Sequence, residues 1–131
     1  MLISDFKFSR RSIGKLEGVH AELILVASRA LAYSQLDFGI SSGKRTLEEQ
    51  RRLVETGASK TLNSRHLTGD AIDFYVIDNR TGQVTWNLEC YRIVWEAFKR
   101  AATELAIDIE WGGECFGPSF IDAPHIQRCI H

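Results

Sequence analysis

The sequence predicts an α+β fold, a small and mainly antiparallel sheet with helices packed on it. Three observations carry that expectation. The strand-like segments are short and bounded by turn residues, so they turn locally rather than through long helical crossovers. The helical segments fall early and centrally instead of alternating with strands. The chain has 131 residues, 44% hydrophobic and 25% charged, which suits one domain (1–131) able to bury a core without disulfide staples.

Ser12 to Tyr33 opens the helical part. Ile13, Leu16, Leu23, Val26, Ala27, Ala30 and Leu31 fall near the spacing of one apolar face. Gly14 and Gly18 weaken its start, so a short helix, a break and a longer helix are expected. Asp37 to Ser42 reads as a short strand ended by Gly43. Thr46-Leu-Glu-Glu49 fits a capping box, with Glu48 and Arg52 as an i,i+4 pair and Gly57 closing the helix. Ala58 to Arg65 is polar loop. Asp70 to Ile77 has the β-branched and aromatic content of a strand, followed by a turn over 78–82 and a second strand, Gln83 to Trp86. Asn87 caps the strongest helix, Leu88 to Leu105, whose Tyr91, Val94, Trp95, Phe98, Ala101, Ala102 and Leu105 form one stripe for the core. Ile107 to Trp111 is a strand, Gly112 to Ala123 a loop, and His125 to Ile130 a final strand.

The net charge of −1 argues against a strong grip on nucleic acid or anionic membrane, which usually demands a basic face. Lys44, Arg45, Arg51 and Arg52 form a local basic group; apart from Arg45 they read as a solvated helix face. Three cysteines without CxxC spacing (Cys90, Cys115, Cys129) suggest free thiols and a reducing compartment. Met1 to Arg11 lacks an apolar core of signal-peptide length, and the most apolar run, Leu23 to Ala27, is far too short to span a bilayer. A product of the host cytoplasm, not inserted in membrane and acting as a monomer, is the expectation.

The chemistry concentrates in Ser64-Arg-His-Leu-Thr-Gly-Asp-Ala-Ile-Asp73. His66 ends a loop and Asp73 follows inside a strand. Seven residues apart, they cannot be the i,i+4 pair of a helical site, but loop and strand can converge on one ion. Zn²⁺ accepts imidazole nitrogen and carboxylate oxygen, and a catalytic site needs three protein ligands and an open position. For the third ligand, His20 lies near a helix start and reads as a surface or capping residue. His125 follows Pro124 at the start of a strand. In a regular strand His131 would lie about 20 Å beyond His125 and cannot share its ion unless the tail folds back, and Cys129, about 13 Å away, is the weaker candidate beside His125. On the residues alone His66, Asp73 and His125 also read as hydrogen-bonded structural groups, and spacing does not choose.

Ser64-x-His66-x-x-Gly69-x-Ala71-x-Asp73 resembles the SxHxxGxAxD signature of the VanY/VanX-type zinc D-Ala-D-Ala peptidases, a family that includes the L-alanyl-D-glutamate endopeptidases of phage endolysins. Two further segments agree in order: Gly43-x-Arg45-Thr46, and Glu110-Trp-Gly-Gly-Glu114 followed by Phe120-x-Asp122-x-Pro124-His125. The match runs from about Asp37 to Gln127, and the short length most resembles the phage endolysins. The resemblance implies that His66, Asp73 and His125 hold Zn²⁺ and that Asp122 is the catalytic base. Its task is to take a proton from the water the metal has acidified and pass it to the leaving amine. Glu110 and Glu114 are rival bases. Arg45 is implied to contact substrate and steady the oxygen that becomes negative, work suited to a permanently charged planar fork; its alternative is a surface ion pair with Glu48 or Glu49. Ser64 either binds the substrate backbone or caps a turn.

One departure bears on the cleft: many relatives read Trp-Gly-Gly-Asp-Trp where this chain has Glu114 and Cys115. The function expected is hydrolysis of peptidoglycan stem peptide at the L-Ala–D-Glu bond, as a phage or prophage lysis enzyme acting on the wall after release. The alternatives are a D-Ala-D-Ala carboxypeptidase or dipeptidase, and a non-catalytic zinc module that binds cell wall. Asp122 and Arg45 beside a full ligand set argue against the last.

Overall fold

The first helical segment divides as expected, with the break at Gly18 (φ +83°) and Gly14 inside the first helix. In the computed structural model, which describes residues 3–130, α1 spans Arg10–Lys15 and α2 spans Ala21–Tyr33. His20 caps α2, its Nδ1 accepting from the Glu22 amide at 3.1 Å. The strand β1 (Phe38–Ser42) leads through Gly43 into α3 (Leu47–Glu55), whose capping box is complete: Thr46 Oγ1 accepts from the Glu49 amide and Glu49 Oε1 from the Thr46 amide, both at 3.1 Å. The Glu48–Arg52 pair forms at 2.6 Å on the solvent side.

A single 3₁₀ turn, Arg65–Thr68, precedes β2 (Ala71–Ile77). It ends on Gly69 at φ +80°, where a Cβ would also press within 2.5 Å of the Gly18 carbonyl oxygen, so a side chain is excluded twice over. The remaining elements are β3 (Val84–Thr85), α4 (Leu88–Leu105), β4 (Ile109–Trp111) and β5 (His125–Arg128). β3, β4 and β5 are each shorter than the sequence suggests. At the end of β5 the Cys129 amide still bonds the Asp108 carbonyl, the next position in register with β4, and the regular pairing stops there.

All the pairings are antiparallel, in the order β1-β2-β5-β4, with β3 against the far end of β2. The fold is therefore α+β, as expected. Alternation along β2 decides what each face does. Ile72, Phe74 and Val76 are buried toward the helices, where α4 supplies Tyr91, Val94, Trp95, Phe98 and Ala101, and α2 supplies Leu23, Val26, Ala27 and Ala30. Phe74 sits at the middle of that core, its ring centroid 5.2–5.9 Å from those of Tyr91, Phe98 and Phe38, in the range where aromatic pairs add about 0.5–1.5 kcal/mol each beyond burial. Asp73 points to the other face. Its register partner is His125, so the sheet itself brings two of the candidate ligands side by side.

Candidate active site

His66 is held from both directions by the segment before α3. Its Nδ1 lies 2.8 Å from the Gly43 carbonyl oxygen, and its own carbonyl accepts from the Arg45 amide at 2.9 Å. The ring is almost wholly buried. Since a backbone carbonyl only accepts, Nδ1 carries the proton and Nε2 is the free nitrogen. That Nε2 lies 3.2 Å from Asp73 Oδ1. His125 repeats the arrangement through the opposite nitrogen: Nε2 is 2.9 Å from Gln127 Oε1, and Nδ1 is 3.3 Å from the same Asp73 Oδ1.

Two imidazoles, each with one nitrogen committed to an oxygen acceptor, thus aim the other at a single carboxylate oxygen. Such a set needs a positive charge at its centre, carried by extra protons or by a cation. Either way Asp73 stays ionised. Burial would raise its carboxyl, but the contacts with His125 and His66 outweigh that and hold it well below the ordinary carboxylate range. The same contact raises the His125 imidazole against the opposing effect of burial.

The donor set fits zinc. Ligand atoms of His66, Asp73 and His125 lie within 4.8 Å of one another. The 3.2 and 3.3 Å separations match the ~3.3 Å edge of a tetrahedron whose bonds are about 2.0–2.1 Å, the lengths typical of zinc to nitrogen and oxygen. The carbonyl behind His66 and the amide behind His125 are the outer partners that fix ring orientation in metal sites.

The second carboxylate oxygen of Asp73 belongs to Arg45. The guanidinium donates from Nη2 to Asp73 Oδ2 at 2.8 Å, from Nε to Ser42 Oγ at 3.0 Å, and from Nη1 to Gln50 Oε1 at 3.1 Å. Arg45 is therefore turned inward, 14% exposed, and its ion pair is with Asp73 rather than Glu48 or Glu49. The basic group read from the sequence does not form a patch: Arg45 is in the site and Arg52 pairs with Glu48.

A cleft of about 540 Å³ opens over these residues, lined by Arg45, Ser64, His66, Asp73, Asp122 and His125 among others. Every site residue expected from the sequence meets in it. Ser64 caps the 3₁₀ turn, its Oγ accepting from the His66 amide at 3.2 Å, so the turn-capping role is realised at the rim of the cleft. Asp122 is brought in by a tight crossing. Its amide donates to the Gly112 carbonyl at 2.8 Å, and a Cβ on Gly112 would come within 2.2 Å of the Asp122 carbonyl oxygen. Burial, and then the nearby Asp73 carboxylate, push the Asp122 carboxyl above its usual value. Neither Glu110 nor Glu114 lines the cleft; Glu110 instead accepts from the Cys129 thiol at 3.3 Å.

Sequence reasoning gave no role to several residues in and behind the cleft. Gln50, fully buried on α3, donates from Nε2 to Ser59 Oγ at 2.8 Å and to the Thr61 carbonyl at 2.7 Å. Its signal was a polar residue sharing a helix face with Leu53 and Val54. Phe116 and Phe120 form the opposite wall, with Phe116 5.6 Å from both Phe120 and His125. They lie in a loop whose sequence carries no periodicity. His131 lies outside the described residues.

Residues 4–128 match the model of a family described as phage L-alanyl-D-glutamate peptidase. The chain is 40% identical over 114 residues to the L-alanyl-D-glutamate peptidase of Escherichia phage T5, covering 84% of this chain and 82% of that one. It is 36% identical over 108 residues to a protein of the same name from a Listeria phage, of which it spans 36%. Among solved structures, the Serratia marcescens L-Ala D-Glu endopeptidase ChiX superposes with a TM-score of 0.84 at 40% identity, over 95% of this chain and 92% of that one.

Proposed function

From the premise that this chain belongs to the phage L-alanyl-D-glutamate peptidase family, we propose that it is a zinc endopeptidase that cleaves the L-Ala–D-Glu bond of peptidoglycan stem peptides during phage lysis. The observation that carries this reading is the meeting of His66, Asp73, His125 and Asp122 in one cleft.

His66 Nε2, Asp73 Oδ1 and His125 Nδ1 would hold the ion. When bound, zinc supplies Lewis acidity, making a water acidic near neutral pH and polarising the scissile carbonyl. Asp122 accepts the proton of the attacking water and returns it to the amine that leaves. Its raised carboxyl suits both halves of that task, because a stronger base takes the proton more readily and still returns it to the leaving amine. Arg45 fixes Asp73 through Oδ2, which leaves Oδ1 free for the ion. Three of its N–H donors are engaged in the resting enzyme out of five on a guanidinium, and the remaining ones serve the substrate oxygen that gains charge. The Ser64 hydroxyl accepts from the His66 amide and keeps its own proton to donate to the substrate backbone.

Digestion of purified peptidoglycan, with sequencing of the released fragments, tests the bond. New N-terminal D-Glu is the expected result. Release of free D-Ala from stems still attached to muramic acid would make the enzyme a carboxypeptidase instead.

A further inference from the structure

Three cations other than histidine line the cleft: Arg45, Arg65 and Lys60. Two are already committed. Arg45 is bonded to Asp73, Ser42 and Gln50, and Arg65 donates to the Arg128 carbonyl. Lys60 has no carboxylate partner among the described residues; its ammonium rests over the Phe120 ring, 4.3 Å from the centroid.

Its position is nonetheless built. The residues on either side of it, Ser59 and Thr61, are the two that Gln50 holds from inside the fold. Through its other end Gln50 accepts from Arg45, which grips Asp73. A line of hydrogen bonds therefore fixes the backbone around Lys60 relative to the carboxylate at the centre of the site. The Phe120 face then constrains the ammonium itself.

The proposed substrate supplies what this cation lacks. Glutamate has two carboxyl groups and the stem continues through only one, so the residue that follows the scissile amide keeps a free carboxylate. That charge would enter a cleft already holding the carboxylates of Asp73 and Asp122, which repel it. Resting on the proposed cleavage of L-Ala–D-Glu, we infer that Lys60 is a specificity-determining residue that pairs with the free carboxylate of the glutamate on the leaving side of the scissile bond. Arg65 holds the frame, Arg45 holds Asp73 and faces the reacting oxygen, and Lys60 reads the carboxylate beside it.

The test compares two synthetic stem tripeptides, L-Ala–D-Glu–L-Lys and its counterpart with the free glutamate carboxylate converted to a primary amide. With zinc-loaded wild type, kcat/KM should favour the carboxylate by about tenfold, the scale of a charge-assisted hydrogen bond in a half-open site. Lys60→Met should bring the ratio to unity or below it, since only the repulsion from Asp73 and Asp122 remains, Lys60→Arg should keep most of it, and Lys60→Glu should reverse it. An unspecific fault in folding lowers both rates and leaves the ratio alone. A wild-type ratio near one, or a wild-type ratio retained in Lys60→Met, would overturn the inference while leaving the cleavage site intact. Failure of the wild type to cut either peptide at L-Ala–D-Glu would overturn the assignment of the bond, and this inference with it.

Discussion

Replacing Arg45 by alanine should weaken metal binding and folding as well as catalysis, because the guanidinium ties the central carboxylate to two neighbouring segments. The change removes three hydrogen bonds at once, to Asp73, Ser42 and Gln50. It leaves Asp73 Oδ2 and the Gln50 oxygen without donors, and Gln50 is fully buried. Breaking a buried ion pair from one side costs about 3–5 kcal/mol. The Arg45 and Asp73 side chains are 14% and 20% exposed, so partial screening brings that to roughly 2–3 kcal/mol. The bonds to Ser42 and Gln50 add about 1 kcal/mol each. A loss of about 4–5 kcal/mol in the metal-free protein is expected, with zinc affinity reduced about 10–100-fold as for other outer partners of metal ligands. Arg45→Lys should recover about half, since an ammonium reaches one acceptor in place of three. Urea denaturation of the zinc-free protein and zinc titration against a chelator measure the two effects separately. If Arg45→Ala unfolds within about 0.5 kcal/mol of wild type and binds zinc equally well, the guanidinium acts on substrate alone and the account of the Asp73 contact is wrong.

Three further outcomes are expected. Elemental analysis should find one zinc per wild-type chain and little in His66→Ala or His125→Ala; full retention in either would sink the ligand assignment. Asp122→Asn should keep zinc yet lose about 10²–10⁴ in kcat, whereas Glu110→Gln and Glu114→Gln, away from the cleft, stay near wild type. The reverse pattern would show that the wrong carboxylate has been chosen. The same Asp122→Asn change should stabilise the metal-free fold at neutral pH. The folded state raises the Asp122 carboxyl, so it binds that proton more tightly than the unfolded chain does, and its contribution to stability falls as pH rises from the unfolded value, about 3.9, through the folded one. The gain should therefore disappear below about pH 4, and thermal melts at both pH values would reveal a gain that persists there.

Much of this was legible in the sequence because it is written in local rules. The capping box at Thr46, the Asn87 cap and the stripe of α4 each depend on residues a few positions apart, and each forms as read. The candidate ligand set was legible for another reason: spacing did not choose it, and the resemblance implied His66, Asp73 and His125 together, which the fold brings within reach of one another. What stayed hidden depends on contacts between distant segments. Arg45 was expected in the site, but its bond to Asp73, 28 positions away, depends on the register that sets Asp73 beside Ser42. The role of Gln50 appears only once loop 57–63 folds back over α3. Ends of β3 and β5 were overrun because propensity continues where the partner strand stops.

The residues beyond the ligand set explain why so few elements suffice to hold a reactive centre. Asp73 is shared: one oxygen faces the two histidines and the other faces Arg45, so a single carboxylate couples the proposed metal site to the frame around it. From Arg45 the connection passes through Gln50 into the loop that carries Lys60. The opposite wall is set by Gly112, which admits Asp122 beside His125, and by Phe116 packed on the His125 ring. Each wall thus refers back to a residue of the proposed metal site instead of to solvent. A loop fixed in that way can place a recognising charge at a constant distance from the reacting atoms, which a freely moving lysine could not do. The cost sits at Asp122, whose carboxylate is held where burial and Asp73 both disfavour its charge. The aromatic core around Phe74, on the other face of the same strand, offsets that cost: the strand that aims Asp73 into the cleft is anchored by its neighbours on either side, Ile72 and Phe74.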